Sequence, residues 1–67
     1  MYKIKNIIEN KIIFQSDNVN EFTNFVRKIA VENEDEELSI TCLGEAVDYL
    51  DNYCDNLEIV NRKTIFI

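Results

Sequence analysis

YKIKNIIENKIIF, residues 2–14, decides the fold class. Tyr2, Ile4 and Ile8 stand at alternating positions, as do Ile12 and Phe14, and Glu9, Asn10 and Lys11 separate the two runs. Alternation with a period of two, interrupted by a short polar stretch, is the signature of a β-hairpin. Register follows the face that is to be buried. A three-residue loop sets Ile8 opposite Ile12 and gathers Tyr2, Ile4, Ile8, Ile12 and Phe14 on one side, whereas a two-residue loop scatters them over both. The longer loop is therefore expected.

The other end of the chain repeats the pattern. LEIVNRKTIFI, residues 57–67, is β-branched and aromatic around Asn61, Arg62 and Lys63, which predicts a second hairpin. Ile59 to Phe66 lines up with Ile7 to Phe14, each an apolar pair, a polar turn ending in lysine and an apolar run ending in phenylalanine. The common demands of two hairpins explain this likeness more simply than duplication does.

Between the hairpins the period changes to that of helices. Ser16, Asp17 and Asn18 supply N-cap chemistry, with Asn18 and Glu21 at capping-box spacing, and a helix is expected from Val19 to between Val31 and Asn33. Val19, Phe22, Phe25, Val26, Ile29 and Ala30 fall within an arc of about 140° at 100° per residue. Leu38 to Ile40 suits a short strand. Thr41 is the expected N-cap of a second helix from Cys42 to Asp55, whose apolar stripe is Leu43, Ala46, Val47, Leu50, Tyr53 and Cys54. Tyr49 flanks that stripe.

The architecture that follows is one α+β domain over residues 1–67: two hairpins forming an antiparallel-rich sheet, covered on one face by two helices, in the order ββαα(β)ββ. Ile13, Val60, Ile65 and Ile67 cannot all share the buried face with their strand neighbours. Some of them should form an apolar outer face, a surface suited to a homodimer.

Composition agrees with a small folded unit. With 46% apolar residues, one glycine and no proline the chain is not of the disordered type. A domain of 67 residues buries only about 60% of the surface its unfolded chain exposes. Its apolar runs stop at three residues, as in Ile12, Ile13 and Phe14, so no membrane span is expected and the cytoplasm is the default compartment. Cys42 and Cys54, on one helix, lie about 18 Å apart along its axis and cannot bridge each other. They are expected to be buried thiols.

Catalytic motifs are missing from the sequence. It has no histidine, no glycine-rich phosphate loop and no nucleophile beside a base, so an enzyme is not expected and no cofactor is called for. Two thiols without histidine fall short of a zinc site. Asp51, Asp55 and Glu58 lack the spacing and the glycine of a calcium loop.

Charge carries the remaining signal. From Ile29 to Asn61 there is no lysine or arginine, while Glu32, Glu34, Asp35, Glu36, Glu37, Glu45, Asp48, Asp51, Asp55 and Glu58 are all acidic. The net charge of −6 thus conceals a strongly acidic segment and basic flanks. In the second helix Glu45, Asp48, Asp51 and Asp55 lie opposite the apolar stripe, and Asp51 and Asp55 stand near the end where the helix dipole opposes them. Steps of three or four residues advance about 5–6 Å, comparable with the spacing of phosphates along a nucleic-acid strand. Direct binding of nucleic acid is not expected, since only Lys11 and Arg62/Lys63 make the hairpin tips basic.

ENEDEE at 32–37 and EAVDYLDNYCD at 45–55, in a short Asn-, Ile- and Lys-rich chain, resemble in style the small acidic inhibitor proteins of phages and mobile elements, including anti-CRISPR and DNA-mimic proteins. Such proteins share no signature, and the resemblance implies a class alone: a stoichiometric blocker of a nucleic-acid-handling enzyme such as a nuclease. The residues expected to meet the basic groove of such a partner are Glu34, Asp35, Glu36, Glu37, Glu45, Asp48, Tyr49, Asp51 and Asp55. The alternative is a small dimeric interaction or regulatory module that works through its apolar sheet face.

Overall fold

Asn18 shows how the local sequence sets the elements: its side-chain oxygen accepts the backbone N–H groups of Asn20 (2.8 Å) and Glu21 (3.2 Å), satisfying two of the four donors that a helix start leaves over. The computed structural model describes residues 1–35 and 39–60. They form β1 (Tyr2–Asn6), β2 (Lys11–Ser16), α1 (Val19–Glu32), α2 (Leu43–Tyr53) and β3 (Leu57–Ile59). The expected capping box takes another form. Glu21 accepts from the Ser16 hydroxyl (3.0 Å), and that hydroxyl accepts from the Asn18 N–H (3.0 Å).

The sheet is antiparallel with β1 in the centre, in the order β2-β1-β3, and the two helices complete an α+β fold. Ile4 pairs with Phe14 on one side and Ile59 on the other. Ile4 and Ile59 are buried in one core with Phe22 and Val26 of α1 and Ala46, Val47 and Leu50 of α2, and partly buried Phe14 packs against it. Tyr2 and Phe14 pack on Phe22, with ring centroids 5.2 and 6.2 Å away, and Phe14 stacks on Phe25 at 4.6 Å. Arg27 Nε donates to the Ile40 carbonyl (2.6 Å), tying α1 to the segment that leads into α2.

Hairpin register departs from expectation. Asn6 pairs with Lys11, leaving a four-residue loop at 7–10 rather than three, and Ile8 is 74% exposed. Turn chemistry decides this: the Asn6 side-chain oxygen accepts the Glu9 N–H (2.9 Å), and Asn10 adopts a left-handed φ of 56°, which asparagine tolerates better than most residues. A bulge then shifts the ladder between Ile4 and Lys5. Ile13 becomes the extra residue and packs against the core, while Ile12 falls opposite Lys5 and is 43% exposed. Tyr2, Ile4 and Phe14 keep the face expected of them; Ile8 and Ile12 do not.

Of the expected second hairpin, one strand, β3, is found among the described residues. Its ladder runs one step further, where the Val60 N–H donates to the Lys3 carbonyl (3.0 Å), and the returning strand expected within 61–67 lies outside the described residues. Leu38 also lies outside them, and Ser39 and Ile40 are not in a strand. The outward row of the sheet, by alternation and register, reads Lys3, Lys5, Ile12, Gln15 and Glu58, with Lys5 directly opposite Glu58. Among the described residues that face is thus more polar than expected, because the bulge brings Ile13 inward and Val60 is half-buried. No helix among them is long and apolar enough to cross a membrane.

Candidate functional site

The acidic run begins inside a helix cap. The Glu34 N–H donates to the Val31 carbonyl (3.0 Å) and the Asp35 N–H to the Ala30 carbonyl (2.7 Å), the paired bonds of a Schellman motif closing α1. That motif needs one left-handed residue, usually glycine. Here it is Glu34, with φ 63°. A β-carbon at that conformation costs about 1–2 kcal/mol, and carboxylates on this end of a helix oppose its dipole.

Asp35 does not extend into solvent as a disposable loop would. It is half-buried and its carboxylate accepts the Tyr49 hydroxyl (2.8 Å), which in turn accepts from the Asn33 side-chain amide (3.2 Å). The start of the acidic run is thereby fastened to α2. Tyr49 itself is 3% exposed, so it is a strut and not the contact residue expected of it. Its ring occupies the edge of the buried stripe of α2, and the exchange with Tyr53 explains both departures. Tyr53, expected in the core, is 56% exposed because α2 ends there, and its ring stacks on Tyr49 at 5.1 Å.

The start of α2 is capped from within. Cys42 holds the N-cap position without a side-chain bond, while Glu45 reaches back to accept the Thr41 N–H (3.0 Å), the Thr41 hydroxyl and the Cys42 thiol (3.6 Å). Thr41, expected as the cap, is a donor one residue earlier. The Thr41 hydroxyl, followed by its N–H, holds the Glu45 carboxyl below its ordinary range. Glu45 therefore stays ionised at the helix start, where the dipole favours it.

Glu45, Asp48 and Asp51 are exposed, opposite buried Ala46, Val47 and Leu50, as the wheel requires, whereas Asp55, expected at the end of α2, is exposed in the turn that follows the helix. Glu34 is exposed and Asp35 half-buried, while Glu36 and Glu37 lie outside the described residues. Neither helix has a basic residue in its last turn. The two cysteines are free and sit at opposite ends of α2: Cys54 is buried as expected, and Cys42 is exposed because the N-cap leaves the core stripe. Burial, then the charges of Asp35 and Asp55, push the Cys54 thiol up. No group of three or more histidine, cysteine, aspartate or glutamate side chains suited to a metal ion occurs among the described residues.

No family model matches the chain, and no curated protein or solved structure matches it either. Its functional reading rests on the surface alone. Sequence reasoning missed the Asn33–Tyr49–Asp35 tie, whose one local signal is an asparagine at the position where an apolar helix pattern stops.

Proposed function

We propose that this chain is a non-enzymatic acidic binding protein that docks α2 and the acidic run after α1 in a basic, nucleic-acid-binding groove of a host or defence protein, as a phage-type inhibitor of the anti-CRISPR, DNA-mimic kind. The observation that carries the reading is the placement of carboxylates along the solvent side of α2 and at the C-terminal ends of both helices, with no cation in either last turn. Each charge at a C-terminal end opposes the helix dipole by about 0.3–1 kcal/mol, and Glu34 adds the cost of a left-handed backbone. Stability alone favours glycine at position 34 and lysine or arginine in the last turns. Local rules broken together on one surface are accounted for by a partner that the surface serves.

The binding force would be that of nucleic acid itself: steering by opposite charge and release of the partner's counterions, with steep dependence on salt. The test is capture from bacterial lysate on the immobilised protein, followed by elution in a salt ramp and, separately, by duplex DNA. The reading expects a nucleic-acid-binding protein that leaves below about 1 M salt, where charges more than about 3 Å apart are screened, and is displaced by DNA. A partner that withstands both treatments would point to an apolar interface instead.

A further inference from the structure

Where α1 and α2 end beside each other they enclose an open groove of about 480 Å3. Its polar walls include the carboxylates of Asp35 and Asp55 and the side-chain amides of Asn33 and Asn56, and Ile29, Leu57 and Tyr53 contribute apolar surface. Among the described residues, no lysine or arginine lines it. Both helices present their negative ends here, since Asn33 caps α1 and Cys54 caps α2, and neither last turn holds a cation to offset them. The groove is a concave site with negative charge, acceptor oxygens and an exposed aromatic ring, and it lies beside the proposed binding face.

We propose that this groove receives one arginine side chain of the protein partner, an inference that rests on the acidic-binding reading above. Charge complementarity selects a cation, and the form of the walls selects guanidinium over ammonium. Carboxylate and amide oxygens offer several acceptors to the five donors of a planar fork, the apolar surface takes the methylene stem, and the Tyr53 ring gives the flat cation a face to stack on. A lysine ammonium, compact and strongly hydrated, matches the ring and the multiple acceptors less well. The burial of Cys54 beside Asp35 and Asp55, whose charges add to the upward push on its thiol, marks the same negative field from inside.

The test is an NMR titration of the full chain with N-acetyl-arginine methylamide, set against the lysine and citrulline analogues at constant ionic strength. Arginine should give saturable shifts confined to Asn33, Asp35 and the 53–57 segment, lysine weaker ones and neutral citrulline none. Asp55→Asn should weaken the arginine response about fivefold, the upper range for an exposed charge pair, and Asp48→Lys, outside the groove, should leave the location of the shifts unchanged. Shifts spread evenly over α2, equal for arginine and lysine, absent altogether, or untouched by Asp55→Asn would overturn the inference. Salt-sensitive capture of a basic partner that persists in Asp55→Asn while the groove fails would sink this inference alone; saturable groove binding without such capture would sink the broader reading instead.

Discussion

Replacing Tyr49 with phenylalanine removes one oxygen and leaves the ring in its packing. The hydroxyl donates to a carboxylate at 2.8 Å and accepts an amide at 3.2 Å, from a side chain that is 3% exposed. Hydrogen bonds to charged groups contribute about 1.5–3 kcal/mol net and neutral ones about 1. Asp35 is half-buried and regains water when released, which places the combined loss near 2 kcal/mol. For a chain of 67 residues, with a total stability of about 3–10 kcal/mol, that is a large fraction. Urea titration should show a lower midpoint at unchanged slope, and the thermal midpoint should fall by roughly 8–15 °C. A cycle with Asp35→Ala should reveal coupling of about 1 kcal/mol, because either change alone already breaks the tie. Additive effects, or a loss below about 0.5 kcal/mol for Tyr49→Phe, would refute the claim that the acidic run is fastened to α2.

Four further outcomes follow from the same geometry. Glu34→Gly should stabilise the protein by about 1 kcal/mol in urea, since glycine adopts a φ of 63° without a β-carbon clash; a destabilised variant would contradict the cap. Asn18→Ala should lose about 1 kcal/mol through the two bonds to Asn20 and Glu21, and an unchanged midpoint would mean that Ser16 alone suffices. Burial pushes up both the Cys54 thiol and the Tyr49 phenol, so the unfolded chain gives up these protons first and stability should fall as pH rises above about 8.5 and then about 10. A thiol reagent should correspondingly modify exposed Cys42 in the folded protein and reach Cys54 only on unfolding; equal rates would contradict the packing.

Both helices were legible because their signals are redundant. Phe22, Val26, Ala46, Val47 and Leu50 recur at helical spacing, and Asn18 is a strong cap where the apolar stripe begins. Hairpin register was not legible, because the hydrophobic pattern and the turn chemistry of Asn6 and Asn10 ask for different loops and the turn prevailed with a bulge to reconcile them. The solvent face of α2 could be read directly from the wheel. What held Asp35 could not, since a buried tyrosine and an exposed one four residues later look alike until the helix end is known. The cap at Glu34 was hidden for a related reason: its usual marker is glycine, and the sequence has glutamate there.

The central claim is that the acids of α2 serve a basic partner. The direct measurement is the affinity of the captured partner for the double variant Asp48→Lys/Asp51→Lys, read together with its circular dichroism and thermal midpoint. Lysine is a better helix former than aspartate and suits the C-terminal half of α2. The account predicts a folded variant from which binding is lost. A folded variant that holds the same partner with undiminished affinity and the same salt dependence would contradict it.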